Sequence, residues 1–446
     1  MKSFSLVLFL GVVLSFSPQI AKAQNAKTSG LISNGLNKEE QAILAYIDAN
    51  MPRAIELLKE SVNINSGNLN VEGVKKVGAL FAKELAAAGL QTHWVAMPDS
   101  IKRAGHLVAS SLSNKKPKGK KLFLIGHLDT VFEPDMPANP FTILNDSTAT
   151  GQGANDMKGG DVVMIIALQA LHEQGLLNDA AITAYFTGDE ENAGYPRKIT
   201  RGDFIETAKQ HDIALAFEGA NGLHSVATAR RGASGWSLEV TAKTGHSSGV
   251  FTQSAGYGAI YEAARIVNEF REQLSSEKYL TFNPGIFIGG SDMQFSDAKG
   301  TGSAIGKTNI ISPSAKVVGD LRFLTEAQKD KARATMQKIV SHNLAGTKAT
   351  IHFQDGIPSM APTAGNEKLV TIINGVSTDM GLGETVAGDP GSRGAGDISY
   401  VAQYLDCIDG LGASGKGAHA PGETINLKEF PILIKRAALT MYRLTR

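Results

Sequence analysis

Leu122-Phe-Leu-Ile-Gly-His-Leu-Asp-Thr-Val131 decides how the chain is read. It opens as an apolar run and ends in His127 and Asp129, two side chains that can serve a metal ion. An apolar strand with polar chemistry at its C-terminal end is how an open α/β sheet presents a site. Two later segments repeat the pattern. Ala181–Thr187 is a predicted strand ending at Asp189-Glu190-Glu191, and Ile213–Phe217 is another ending at Glu218. The ends of neighbouring strands lie on one edge of a sheet, so imidazole and carboxylate groups converge there.

Around this frame the chain reads as two domains, since 446 residues exceed one ordinary core. Apolar residues make up 42 % and charged residues 20 %, a globular, water-soluble balance. The net charge of +1 argues against nucleic acid held by bulk electrostatics. Cys407 is the only cysteine, which excludes an intrachain disulfide and reads as a small buried hydrophobe. Lys2, the apolar run Ser3–Ser17 and Ala21-Lys22-Ala23 form a secretory signal peptide over residues 1–23. The expected mature protein begins near Gln24, carries a loose tether over Asn25–Gly35, and is exported, to a periplasm or the medium, with no membrane span after cleavage.

Asn37 is expected to cap a first helix that Pro52 interrupts or restarts, and Asn70 a second, with Val74, Val77, Phe81 and Leu85 inward and Gly89 closing it. His93–Val95 and His106–Ser110 read as strands, Lys115–Lys121 as a charged hairpin turn, and Asp156–Leu177 as a largely buried helix. From Arg230 the texture changes to alternating strands: Trp236–Ala242, Gly285–Ile288, Ala315–Phe323 and Lys348–Phe353. Two helices accompany them, one capped by Ser254 and one opened by the box Thr325-Glu-Ala-Gln328. This is an inserted α+β unit closing near Pro358; residues from Asn366, through an expected helix over Asp397–Leu405, to a helix capped by Asn426-Leu-Lys-Glu429 rejoin the first domain.

Zinc takes imidazole nitrogen and carboxylate oxygen, and a pair of metals needs a bridging carboxylate. His127, Asp156, Glu191, Glu218 and His419 supply such donors, Glu190 is left over as a base, and Asp129 can orient His127. The motifs Gly126–Val131, Gly151–Gly160, Thr187–Glu191, Phe217–Gly219 and Gly417-Ala-His-Ala-Pro-Gly-Glu423, in that order, resemble those of the zinc peptidase family that contains aminoacylase, acetylornithine deacetylase, succinyl-diaminopimelate desuccinylase and the glutamate carboxypeptidases. An exported glutamate carboxypeptidase is the member it is most similar to in feel.

The resemblance implies an α/β zinc-exopeptidase catalytic domain, a mixed sheet with helices on both faces, formed by residues 24–229 and 358–446, with a lid and dimerisation domain over 230–357. It implies two zinc ions bridged by Asp156, one held by His127 and Glu218, the other by Glu191 and His419, with Glu190 as general base and a cis Asp156–Met157 peptide. It also implies a homodimer in which His246 stabilises the oxyanion in the partner's site, and substrate contacts from Asn309 and Arg322. The substrate is then a peptide losing its C-terminal residue or an N-acyl amino acid; a non-catalytic, metal-stabilised peptide-binding protein is the rival of another class.

The chain also departs from the family. Gly396 stands where a Ser or Thr is frequent, and Gln354–Pro358 has no basic residue to hold a substrate carboxylate. Arg393 reads as a loop arginine or carboxylate ligand, Arg230 and Arg231 as hinge or surface residues, and Arg201-Gly-Asp203 as a chance tripeptide.

Overall fold

The computed structural model describes residues 35–111 and 116–446. The leader, most of the tether and the start of the charged turn lie outside them. The central sheet contains β1 (Leu90–Val95), β2 (His106–Ser111), β3 (Leu122–His127), β4 (Ile182–Thr187), β5 (Ile213–Ala216) and a late strand, β10 (Asp406–Ile408), in the order β1-β2-β4-β3-β5-β10. β3, β4, β5 and β10 run parallel, while β1 and β2 pair antiparallel at one edge. Because β4 lies between β2 and β3, Lys115–Lys121 is no hairpin turn. Within it, exposed Lys118 lies 2.5 Å from Asp179.

Every side chain of β3 is buried, and the period of two divides them between two cores. Leu122 and Leu124 face the long helices α1 (Lys38–Val62), α2 (Val71–Ala87), α3 (Lys158–Glu173) and the C-terminal α7 (Phe430–Leu444). Phe123 and Ile125 face Phe204 of the short helix Gly202–Ala208, together with Ile398, Val401 and Cys407. Burial of each such side chain contributes about 1.5–3 kcal/mol, so the strand cannot shift without losing both faces.

Local chemistry explains the helix ends. Asn37 accepts from the Glu40 N–H while Glu40 accepts from the Asn37 N–H. Asn70 accepts from Gly73, and Gly89 takes a positive φ of 75° after α2. Pro52 does not interrupt α1: it sits on the solvent-exposed side, where water can serve the carbonyl it leaves free. Asp156 lies ahead of α3, not in it. The Asp397 segment is a single 3-10 turn, Asp397–Tyr400, not a helix to Leu405.

A second core belongs to a separate four-stranded antiparallel sheet. It contains β6 (Gly232–Ala242), β7 (Thr281–Gly290), β8 (Ser314–Phe323) and β9 (Thr347–Ile357), in the order β7-β8-β6-β9. Trp236, Leu238 and Val240 of β6 pack with Val317 and Leu321 of β8 against α4 (Ala259–Leu274) and α5 (Glu326–Val340). Gly258, not Ser254, stands at the head of α4. Thr325 caps α5 by accepting from Gln328, but the Gln328 carboxamide returns to the Leu324 N–H, one residue outside a closed box. A hairpin, Asp292–Ser296 with Thr301–Ile305, was not expected. α6 (Ala364–Asp379) starts two residues before Asn366 and is capped by Thr363, which accepts from the Asn366 N–H. The chain leaves the first core at Arg230 and returns at Met360; these two residues exchange N–H···O bonds of 2.9 and 3.0 Å.

Close approach of α3 to the strand ends depends on glycine. A Cβ on Gly160 would overlap the carbonyl oxygen of Phe217, the residue before Glu218. Gly160→Ala should therefore cost about 1–3 kcal/mol, the usual penalty of overpacking, read as a lower urea midpoint at unchanged slope. A loss below 0.5 kcal/mol would show that the contact yields freely.

Candidate metal centre

Register sets the site. His127 lies opposite Thr187 across the β3–β4 pair, and Ile125 opposite Ala216 across β3–β5. The residues that follow, Glu190, Glu191 and Glu218, therefore leave the sheet beside His127. The loop before α3 brings Asp156, and a C-terminal loop brings His419.

Asp156 stands at the centre. Its Oδ1 is 3.2 Å from His127 Nε2 and its Oδ2 is 3.0 Å from His419 Nε2. His419 Nε2 is also 3.2 Å from Glu191 Oε2, and His127 Nε2 is 3.8 Å from Glu218 Oε1. Donor atoms of His127, Asp156 and Glu191 fall within 4.8 Å of one another, as do those of His127, Glu190 and Glu218. The Asp156–Met157 peptide is cis. His419 adopts φ = +65°, a conformation that costs a non-glycine residue roughly 1–2 kcal/mol, so its loop is held in place by other contacts.

His127 is fixed from behind. Its Nδ1 lies 3.0 Å from the Asp129 carbonyl oxygen, which leaves Nε2 to face the carboxylates. The Asp129 carboxylate, fully buried, accepts from the N–H groups of Glu190 and Glu191 at 3.0 Å each and from Asn68 at 2.7 Å. Asp129 thus joins the imidazole to the acidic loop. Nothing in the sequence around Asn68 signals this role.

The electrostatics are those of a carboxylate cluster held together by two imidazoles. Burial opposes charge on His127, but its bonds to Asp129 and Asp156 hold its pKa well above the usual value. Hydrogen bonds to Asp156 and Glu191 push His419 up to about 11. Burial, and then the neighbouring Asp156, raise Glu218 to about 7, against the pull of Arg230. Burial and Glu218 hold Glu190 well above the ordinary carboxylate range. A dication can replace the two imidazole protons as counter-charge, so metal binding releases protons here. The residues fit such ions: the donors are oxygen and imidazole nitrogen, and Glu191 Oε1 is buried without a hydrogen-bond partner.

Two buried networks support the centre. Arg201 is no surface tripeptide residue. Its guanidinium bonds Asp189 Oδ1 at 2.5 Å and Asp397 Oδ1 at 2.8 Å, and Asp397 Oδ2 accepts from Thr187 at 2.5 Å. Arg230 is likewise buried at the crossing between the two cores, bonded to Asp409 at 2.7 Å and to the carbonyls of Gly394 and Ala395, and 3.8 Å from Glu218. This bears on Gly396: a Cβ there would overlap the Arg230 guanidinium, so a Ser or Thr would have to displace it from these bonds. Arg393 donates to the carbonyl of Gly219, next to Glu218.

Three expected site residues lie elsewhere. His246 is exposed and bonded to Ser248, and the neighbouring Ser247 N–H donates to the Asn309 carbonyl at 2.9 Å. Arg322 pairs with Asp320 at 3.0 Å. Among the described residues, no hydrogen bond or ion pair joins any of the three to the His127–Asp156–His419 cluster.

The profile of Peptidase family M20/M25/M40 matches residues 123–443. Carboxypeptidase G2 of Pseudomonas sp. (strain RS-16) is 27 % identical over 408 residues, covering 90 % of this chain and 91 % of that protein. Among solved structures, aminopeptidase PepT of Bacillus cereus superposes with a TM-score of 0.69 at 16 % identity, over 89 % of this chain and 99 % of its own. The YXEP protein of Bacillus subtilis, a dinuclear metal-binding peptidase, superposes with a TM-score of 0.62 at 12 % identity, over 89 % and 99 %. At these identities the two structures speak for the fold alone.

Arg201→Met would leave Asp189 and Asp397 buried without their cation and should cost about 3–5 kcal/mol of stability. Arg201→Lys should recover little, because an ammonium cannot span both carboxylates as the guanidinium fork does. Urea denaturation checks both, and a loss under 1 kcal/mol for Arg201→Met contradicts the assignment.

Proposed function

This chain belongs to peptidase family M20/M25/M40, and from that premise we propose that it is a dinuclear zinc exopeptidase of carboxypeptidase type, removing a C-terminal amino acid from a peptide. Family membership makes it a metallopeptidase and sets aside the non-catalytic binding protein. The observation that carries the finer reading is the placement of Asp156, whose two carboxylate oxygens face His127 and His419 on different sides. The likeness to carboxypeptidase G2 supports the carboxypeptidase direction over an N-acyl-amino-acid deacylase.

In this reading His127, Glu218 and Asp156 would hold one ion, and Glu191, His419 and Asp156 the other. Bound there, the two dications would supply Lewis acidity to the scissile carbonyl and to the attacking water. Glu190 takes the proton from that water as it adds to the carbonyl carbon. Its backbone N–H is tied to Asp129, so the base approaches from a fixed direction. The same carboxyl then delivers the proton to the departing nitrogen.

We read residues 230–357 as a lid and dimerisation domain, and His246, Asn309 and Arg322 as its contributions to a substrate complex. His246 has no bond to the cluster of its own chain, which fits service to the partner subunit's site, where it would donate to the developing oxyanion. Exposed Phe251, Tyr261 and Phe287 of the same unit support a covered surface. Among the described residues no helix is long and apolar enough to cross a membrane, and the leader at residues 1–23 supports export.

Glu190→Ala should keep its zinc content, measured by elemental mass spectrometry, while kcat on dipeptides with a free C-terminus falls about 10²–10⁴-fold, the usual weight of a general base. Turnover at the native rate removes Glu190 from that role. Sedimentation should return a dimer; a monomer with full activity would rule out the partner-subunit role of His246.

A further inference from the structure

Glu423 closes the loop that begins at Gly417, four residues beyond His419, and its side chain is fully buried. Its Oε1 accepts from the backbone N–H groups of Asn155 and Asp156 at 2.7 Å each, and its Oε2 accepts from Gly153 at 2.9 Å. Its own carbonyl accepts from the Thr150 hydroxyl at 2.7 Å and the Gly151 N–H at 3.1 Å. One residue thus takes hydrogen bonds from five groups along the segment that delivers Asp156. Three of them are charge-assisted bonds to a buried carboxylate, roughly twice as strong as neutral ones. Such a cradle of N–H groups is specific for an acceptor-only group in its ionised form.

His419 and Glu423 ride on the same short loop. His419 reaches Asp156 Oδ2 with its side chain, and Glu423 fixes the backbone of that same aspartate from behind. We propose that Glu423 is a positioning residue that locks the His419 loop to Asp156, so that the metal position shared by His419, Glu191 and Asp156 forms only when this clamp is closed. The proposal rests on the two-metal reading above. It predicts a graded series. In Glu423→Gln the carbonyl oxygen still serves Asn155 and Asp156, but the amide nitrogen confronts the Gly153 N–H. Glu423→Asp withdraws the carboxylate by one methylene. Glu423→Ala leaves all three donors buried and unpartnered.

Metal affinity tests the idea in purified full-length protein stripped with chelator and reloaded with Co²⁺. The two binding steps are followed by visible absorption and by competition with a chelating dye. Met336→Ala, in the lid core, serves as a comparably destabilised control far from the clamp. One of the two binding affinities should fall about 10–100-fold in Glu423→Gln, the range usual for partners behind metal ligands, and the d–d band of that step should change, while Met336→Ala keeps both. Wild-type affinity and spectrum in folded Glu423→Gln and Glu423→Asp would overturn the clamp while leaving the two-metal reading intact. Wild-type protein that binds no more than one ion would overturn the two-metal reading itself. If Glu423→Ala fails to fold, the other two variants decide the question.

Discussion

Asp156 shares one carboxylate between two histidines that come from distant parts of the chain. Everything else in the site can be read as a response to that constraint. His127 must end a strand whose sides are both buried, because only a rigid strand presents an imidazole to a fixed oxygen. His419 accepts a left-handed backbone to reach the other oxygen. The aspartate is delivered by a loop whose N–H groups are taken up by Glu423. The acidic pair Glu190-Glu191 is tied to Asp129, which also holds His127.

Behind the metal-facing groups lie ionic and buried pairs. Arg201 lies between Asp189 and Asp397, and Arg230 between Asp409 and Glu218. Buried pairs of this kind add little net stability when complete, because desolvation offsets attraction, but losing one partner is costly. They fix geometry more than they add strength. The two arginines also have different duties. Arg201 braces the base of the acidic loop. Arg230 sits where the chain crosses between cores, so it ties the connection to the second core to the strand end that bears Glu218.

Much of this was legible before any coordinates. β3, β4 and β5 each declare themselves by an apolar run ending in acid or imidazole, and the convergence of those ends follows from parallel packing. The same logic located His127, Glu190, Glu191 and Glu218, because the end of a short apolar run marks the end of a buried strand. Asp156 and His419 sit in loops, and the ordered motifs rather than any periodicity picked them out. The supporting residues were not legible, for a physical reason. Asn68, Arg201 and Arg230 act through bonds to Asp129, Asp397 and Asp409, far away in the chain, and nothing local marks them; Glu423 ends a legible motif, but its partners at Gly153–Asp156 lie far upstream. Arg201 even lay in a tripeptide read as chance. Gly396 looked like a lost hydroxyl until Arg230 was seen to fill its place. Pro52 misled because the rule against proline in helices weakens on a solvent-facing side. The hairpin after β7 was hidden in a glycine- and serine-rich stretch with little apolar alternation.

The central claim is that Asp156 bridges two zinc ions. Anomalous diffraction at the zinc edge from zinc-loaded crystals tests it most directly. Two peaks about 3.5–4 Å apart, the spacing usual for paired-metal sites, should flank the Asp156 carboxylate, one beside His127 and Glu218, the other beside Glu191 and His419. A single peak at full zinc loading, or two peaks that do not share Asp156, would contradict it.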